Sequence, residues 1–128
     1  MADSEKITIN MGPVDLGKID LLVEQGHYSN RTDFIRTAIR LQLEKHAPEL
    51  QQAASHHRFL VGVATYSRAH LEGLKAKRER LNLNVMGALH LSSDIPPALA
   101  REVIESVRVR GIFDASEELK AALADRTN

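Results

Sequence analysis

With 128 residues, the chain has room for one compact domain or two small ones, and it is too short for most enzymes built around a large enclosed pocket. Cysteine is absent, which excludes disulfides, thiolate metal sites, iron–sulfur clusters and cysteine nucleophiles and fits a reducing compartment. The 17 Lys+Arg balance 17 Asp+Glu, so total charge makes no case for a nucleic-acid partner and any such case rests on local placement. The opening MADSEKITINMGP lacks the cationic and then apolar run of a secretion signal, and no apolar stretch approaches the roughly 20 residues that span a bilayer, so a soluble, cytoplasmic (nucleoid-associated) protein is expected. Modules of this size bury too little surface alone, so subunit contacts are expected to complete the core.

Residues Lys6-Ile7-Thr8-Ile9-Asn10-Met11 alternate polar and apolar, the period of a strand buried on one face. Ile7, Ile9 and Met11 would point into a core, and Lys6, Thr8 and Asn10 away from it. Such a strand needs a partner for its backbone groups, and none follows nearby. Gly12-Pro13 ends the strand and opens a helix, because proline at the first helical position loses no needed N–H. Leu16, Ile19, Leu22 and Val23 give that helix one apolar stripe, and Gly26 stops it. A second helix opens where Asn30, or alternatively Ser29, caps and Asp33 returns a hydrogen bond. Phe34, Ile35, Ala38, Ile39 and Leu43 carry its apolar face to about His46, and Pro48 ends the segment.

Strand, turn, helix, short connection and capped helix, with the run Tyr28-Ser29-Asn30-Arg31-Thr32-Asp33-Phe34-Ile35-Arg36-Thr37-Ala38-Ile39-Arg40, resemble the ribbon-helix-helix family of Arc- and MetJ-type repressors over about a third of the chain, Lys6 to Lys45. The resemblance implies an intertwined dimer in which the strands of two subunits pair antiparallel and enter the major groove of double-stranded DNA as a ribbon. It makes Lys6, Thr8 and Asn10 the base-reading positions, and their chemistry suits that role. Lys donates to guanine, Asn pairs bidentately with adenine, and Thr meets either polar edges or a thymine methyl. It also makes Asn30 and Arg31, at the start of the second helix, the phosphate contacts. Within residues 1–46 the basic Lys6, Lys18, Arg31, Arg36, Arg40 and Lys45 face the acidic Asp3, Glu5, Asp15, Asp20, Glu24, Asp33 and Glu44, so geometry must create any basic surface. Arg36 and Arg40, one turn apart, read as a solvated face within reach of DNA backbone.

Residues 47–57 read as a linker or a short helix extension. Beyond them three segments look alike: Phe59-Leu60-Val61-Gly62-Val63, Leu83-Asn84-Val85-Met86-Gly87-Ala88-Leu89 and Val107-Arg108-Val109-Arg110-Gly111-Ile112-Phe113. The last two align at a spacing of about 24, with Val85/Val109, Gly87/Gly111, Ser92/Ser116 and Leu99/Leu123 in register, and the first fits at about 25 through Gly62/Gly87. Each is followed by a helical stretch opening at Ser or Asp, over residues 67–81, from 92 or 94 to about 103, and 116–124. Short alternating units predict a small parallel sheet or a miniature solenoid, which would associate with itself because three units cannot cover both sheet faces.

The chain is thus expected to be mixed α/β, with a ribbon-helix-helix DNA-binding and dimerisation domain at 1–46, a linker at 47–57, and an α/β oligomerisation or regulatory domain at 58–128. Architecture invites comparison with the nickel-responsive member of the family, but His90 alone stands where that regulator gathers several ligands. His56 and His57, read as strand neighbours, would point to opposite faces, so no metal and no cofactor is expected. The run from Lys75 to Arg80 reads as a solvated helix face. With no phosphate loop, catalytic carboxylate pair or activated nucleophile, an enzyme is not expected. The expected function is a sequence-specific transcriptional repressor acting as a homodimer, tetramer or higher assembly. The competing readings are the antitoxin of a toxin–antitoxin pair and a DNA-organising or partition protein.

Overall fold

Helix α1 spans Pro13–Glu24 in the computed structural model, which describes residues 4–128. Pro13 starts it and Gly26 stops it, at φ +86°, with the Gly26 amide donating to Val23 O and the His27 amide to Leu22 O, both at 3.0 Å. That pairing satisfies carbonyls the helix end would otherwise leave open, and it needs the left-handed residue glycine supplies. Helix α2 runs from Arg31 to Lys45 and packs on α1.

Two expectations for this half change. Residues 4–12 adopt no regular element, so the expected strand at Lys6–Met11 is not formed within one chain, and Ile7 is 74% and Ile9 59% exposed. A strand holds its shape through an adjacent backbone, and this chain offers that segment none. The expected linker at 47–57 is instead helix α3, Ala47–His57. Pro48 separates α2 from α3 and also sits in the first turn of α3, where a missing N–H costs nothing. His56 and His57 therefore lie on a helix, their rings edge-to-face at 4.9 Å. The chain divides into two compact units, Lys6–Gln52 and Ala53–Asn128.

The second unit is built from strand β1 (Leu60–Tyr66), helix α4 (Arg68–Ala76), β2 (Leu81–Leu91), α5 (Pro97–Val103), β3 (Ile104–Asp114) and α6 (Glu117–Ala122), followed by a short 3-10 turn at Ala124–Arg126. Its sheet is parallel with strand order β1-β2-β3. Helix α4 packs on α5 and α5 on α6, covering a core that includes Leu71, Leu89, Ile104, Leu119 and Leu123. Ser67 and Ser116 cap α4 and α6 as the sequence implied, accepting from the amides of His70 and Leu119. Helix α5 starts later than expected, because Pro96-Pro97 fixes its first turn and Ser92 closes a turn with Ile95 instead. The Lys75–Arg80 run ends a helix rather than lining one: Arg78, at φ 58°, takes the left-handed position, its amide donating to Lys75 O and that of Glu79 to Leu74 O. Arg58 closes α3 in the same way, at φ 54°.

The sequence repeat becomes the register of the sheet. Gly62 pairs with Gly87 and Gly87 with Gly111, offsets of 25 and 24 residues that match the internal alignment. All three glycines hold positive φ, at 140°, 142° and 127°, so the strands kink together at one level. A Cβ on Gly87 would stand 2.0 Å from Gly62 O, and one on Gly111 2.0 Å from Gly87 O. Each kinked strand nests its carbonyl in space the next strand leaves open.

Candidate nucleic-acid interface

The proposed base-reading residues Lys6, Thr8 and Asn10 all lie exposed on the segment that precedes α1. Their apolar neighbours Ile7 and Ile9 are equally uncovered, as are Val14 and Leu21 on α1 and Ile39, Leu41 and Leu43 on α2. Within Lys6–Gln52 only Ile19, at 5% exposure, is buried. Leu16, Leu22, Val23, Phe34 and Ile35 are half-buried, and Tyr28 meets Phe34 edge-to-face at 5.0 Å. A pair of helices whose apolar face stays mostly wet has half a core. The missing half requires another surface of similar character.

At the start of α2 the structure agrees with the capping pattern read from sequence. Asn30 Oδ1 accepts from the Asp33 amide at 2.8 Å, and Asp33 Oδ2 accepts from the Ser29 amide at 2.9 Å. The reciprocal bond reaches Ser29, one residue before the cap, because the shorter aspartate stands where glutamate usually does. Asn30 thereby fixes where α2 begins. Ser29, Asn30, Thr32, Asp33, Arg36 and Arg40 contribute to a polar groove of about 360 Å³ along this turn.

Arg31 has a partner that sequence reasoning missed. Its Nε donates to Asp20 Oδ1 at 2.7 Å and its Nη2 to Asp20 Oδ2 at 2.8 Å, a two-pronged contact from α2 to α1. The hydrogen bonds from Arg31 hold the Asp20 carboxyl below the usual carboxylate range, and Asp20 in turn raises the already high value of Arg31. A carboxylate held in this fork occupies the geometry a phosphate would take. The two residues are eleven apart and on different helices, so no local periodicity signals the pair.

In the second unit, a groove of about 640 Å³ opens where the strands end, lined among others by Val63, Thr65, His90, Ser93 and Asp114. His90 is 5% exposed and its Nδ1 lies 3.0 Å from Asp114 Oδ2. Among the described residues no group of three or more His, Cys, Asp or Glu side chains is placed to hold a metal ion. No helix of the described residues is long and apolar enough to cross a membrane.

A capped helix pair preceded by an exposed polar–apolar segment, with cationic side chains at the start of the second helix, is the arrangement of a DNA-binding regulator. The chain belongs to the ribbon-helix-helix transcriptional regulator family, whose model it matches over residues 2–120. The match takes in both units and not the helix pair alone. No curated protein and no solved structure matches it.

Proposed function

We propose that this protein is a sequence-specific repressor of transcription that binds operator DNA as a homodimer. Residues 6–11 of two chains pair antiparallel, and the ribbon so formed presents Lys6, Thr8 and Asn10 to base edges in the major groove. The observation that carries this reading is the exposure of Ile7 and Ile9 beside the wet faces of α1 and α2: an alternating segment with no partner strand, next to a helix pair with half a core. Pairing two chains supplies both deficits at once.

In this reading Asn30 and Arg31 contact phosphate, and Asp20 holds the Arg31 fork in place until DNA displaces it. The second unit joins dimers, so that ribbons with a single lysine each act together through effective concentration. A free antitoxin tail would be charged and without a packed core. Residues 53–128 instead bury Leu71, Leu89 and Ile104 completely, which favours the assembly role.

The test is Lys6, Thr8 and Asn10 changed together to Ala, with binding measured against operator and unrelated DNA. Specific binding should vanish while circular dichroism and dimer mass stay unchanged. Retained operator affinity in a folded triple variant would refute the base-reading role. Equal affinity for all sequences in the unmodified protein would favour the DNA-organising alternative.

A further inference from the structure

The sheet of the second unit has one edge partly covered and one open. Beside β3, Thr127 forms a parallel bridge with Val107, and the Asn128 amide donates to Val107 O at 2.9 Å, so these two residues cover part of that edge. Beside β1 no described strand pairs. The seven residues there, Leu60-Val61-Gly62-Val63-Ala64-Thr65-Tyr66, carry no charge, and Val61 is 66% and Val63 54% exposed. Soluble proteins ordinarily guard such an edge with lysine, proline or a covering loop. The glycine ladder stops here as well. A Cβ on Gly87 or Gly111 meets a neighbouring carbonyl, whereas one on Gly62 meets nothing within 4 Å. Space for a further strand is open on this side.

We propose that β1 pairs antiparallel with β1 of a second copy of this chain, joining two three-stranded sheets into one six-stranded sheet. Charge selects this occupant and this direction. Before β1 and β2 stand the exposed Arg58, Lys77, Arg78 and Arg80, opposed by Glu79. At and beyond the ends of β2 and β3 stand Asp94, Asp114, Glu117 and Glu118, opposed by Lys120, while Arg68 is paired with Glu72 at 2.8 Å. One end of the sheet is therefore basic and the other acidic. A two-fold axis through the open edge sets the basic end of each sheet beside the acidic end of the other, and the uncharged strand itself brings no like charges together. Because the β3 edge is partly covered, the pairing closes at two sheets and does not grow into a fibre. The proposal rests on the self-association assigned above to the second unit and names the surface that performs it.

The absence of cysteine makes the test direct. Two-fold antiparallel pairing places one residue of β1 opposite its own copy, with Cα atoms roughly 4.5–5.5 Å apart, inside the reach of a disulfide. Full-length Val61→Cys, Val63→Cys and Thr65→Cys, and the doubles V61C/V63C and V63C/T65C for an axis at Gly62 or Ala64, are oxidised in dilute solution beside Ala121→Cys on exposed α6. At least one β1 variant should form linked pairs roughly tenfold or more faster than the control, and Val61→Lys with Val63→Lys in the Thr65→Cys background should return that variant to the control rate. Control-level rates in every β1 variant would overturn the proposal, as would capture of a different protein at this edge in place of a second copy. Failure of the DNA-binding reading is separable, since it would appear as lost operator affinity with cross-linking intact.

Discussion

Replacing Gly87 by alanine tests the glycine ladder directly. The new Cβ would lie 2.0 Å from Gly62 O and 2.9 Å from Gly62 C, both backbone atoms that cannot swing aside. Ordinary carbon–oxygen contacts are about 3.3 Å or more, so β1 must move away by over roughly 1 Å and weaken the pairing from Leu60 to Tyr66. The φ of +142° adds a cost of about 1–3 kcal/mol for any side-chain-bearing residue, and the forced displacement adds about 1–3 more. The sum, about 4 kcal/mol, is a large part of what a small domain has in total. Gly62→Ala supplies the control, since it shares the positive φ but has an open Cβ position, and it should cost only about 2 kcal/mol. Tyr66 ends β1, so in a Tyr28→Phe background its fluorescence reports urea unfolding of this sheet without interference from tryptophan, which is absent. The expected order is Gly87→Ala and Gly111→Ala well below Gly62→Ala in midpoint. Equal midpoints for Gly87→Ala and Gly62→Ala would refute the nested-carbonyl account.

Asp20→Asn should free the Arg31 fork for phosphate, tightening DNA binding and steepening its salt dependence by about 0.9 in log–log slope for each additional phosphate neutralised; an unchanged slope in a binding titration would show that Arg31 makes no such contact. Asn30→Ala should lower thermal stability of the helix pair by about 1 kcal/mol through loss of the cap, while Asn30→Ser retains most of it. Asp20 and Asp125 are both held below the ordinary aspartate value of 3.8, chiefly by hydrogen bonds from Arg31 and Arg101. A depressed folded value means that their stabilisation is complete above the unfolded value and is lost as pH falls through the folded one. Acid unfolding monitored by circular dichroism should therefore show these pairs contributing unchanged at neutral pH and fading only below 3.8. Asp20→Asn and Asp125→Asn should each flatten the response below that point.

Much of the candidate interface was legible because its signals are local. A proline at the first helical position, Asn30 three residues before Asp33, and a glycine after the last apolar residue each act through atoms within one turn, so their spacing in sequence fixes their geometry. The segment 47–57 was less legible, because a proline that ends one helix also suits the first turn of another. Asp20 was out of reach for a different reason. Its contact with Arg31 depends on how α1 and α2 pack, and packing brings together side chains that no periodicity relates.

The sequence by itself determined the placement of the caps and stops, the alternation that leaves Ile7 and Ile9 in want of a partner, and the offsets of 24 and 25 residues that reappear as the register of three parallel strands. Those features follow from backbone preference and periodicity, which act at short range and survive in any context. Only the tertiary structure decided that Gly87 and Gly111 each make room for a neighbouring carbonyl, that Asp20 holds Arg31, and that β1 keeps an open edge while β3 is partly closed by Thr127 and Asn128. Each of these is a relation between segments distant along the chain, set by how elements pack in space, and the residues involved carry no mark of it in their own neighbourhood.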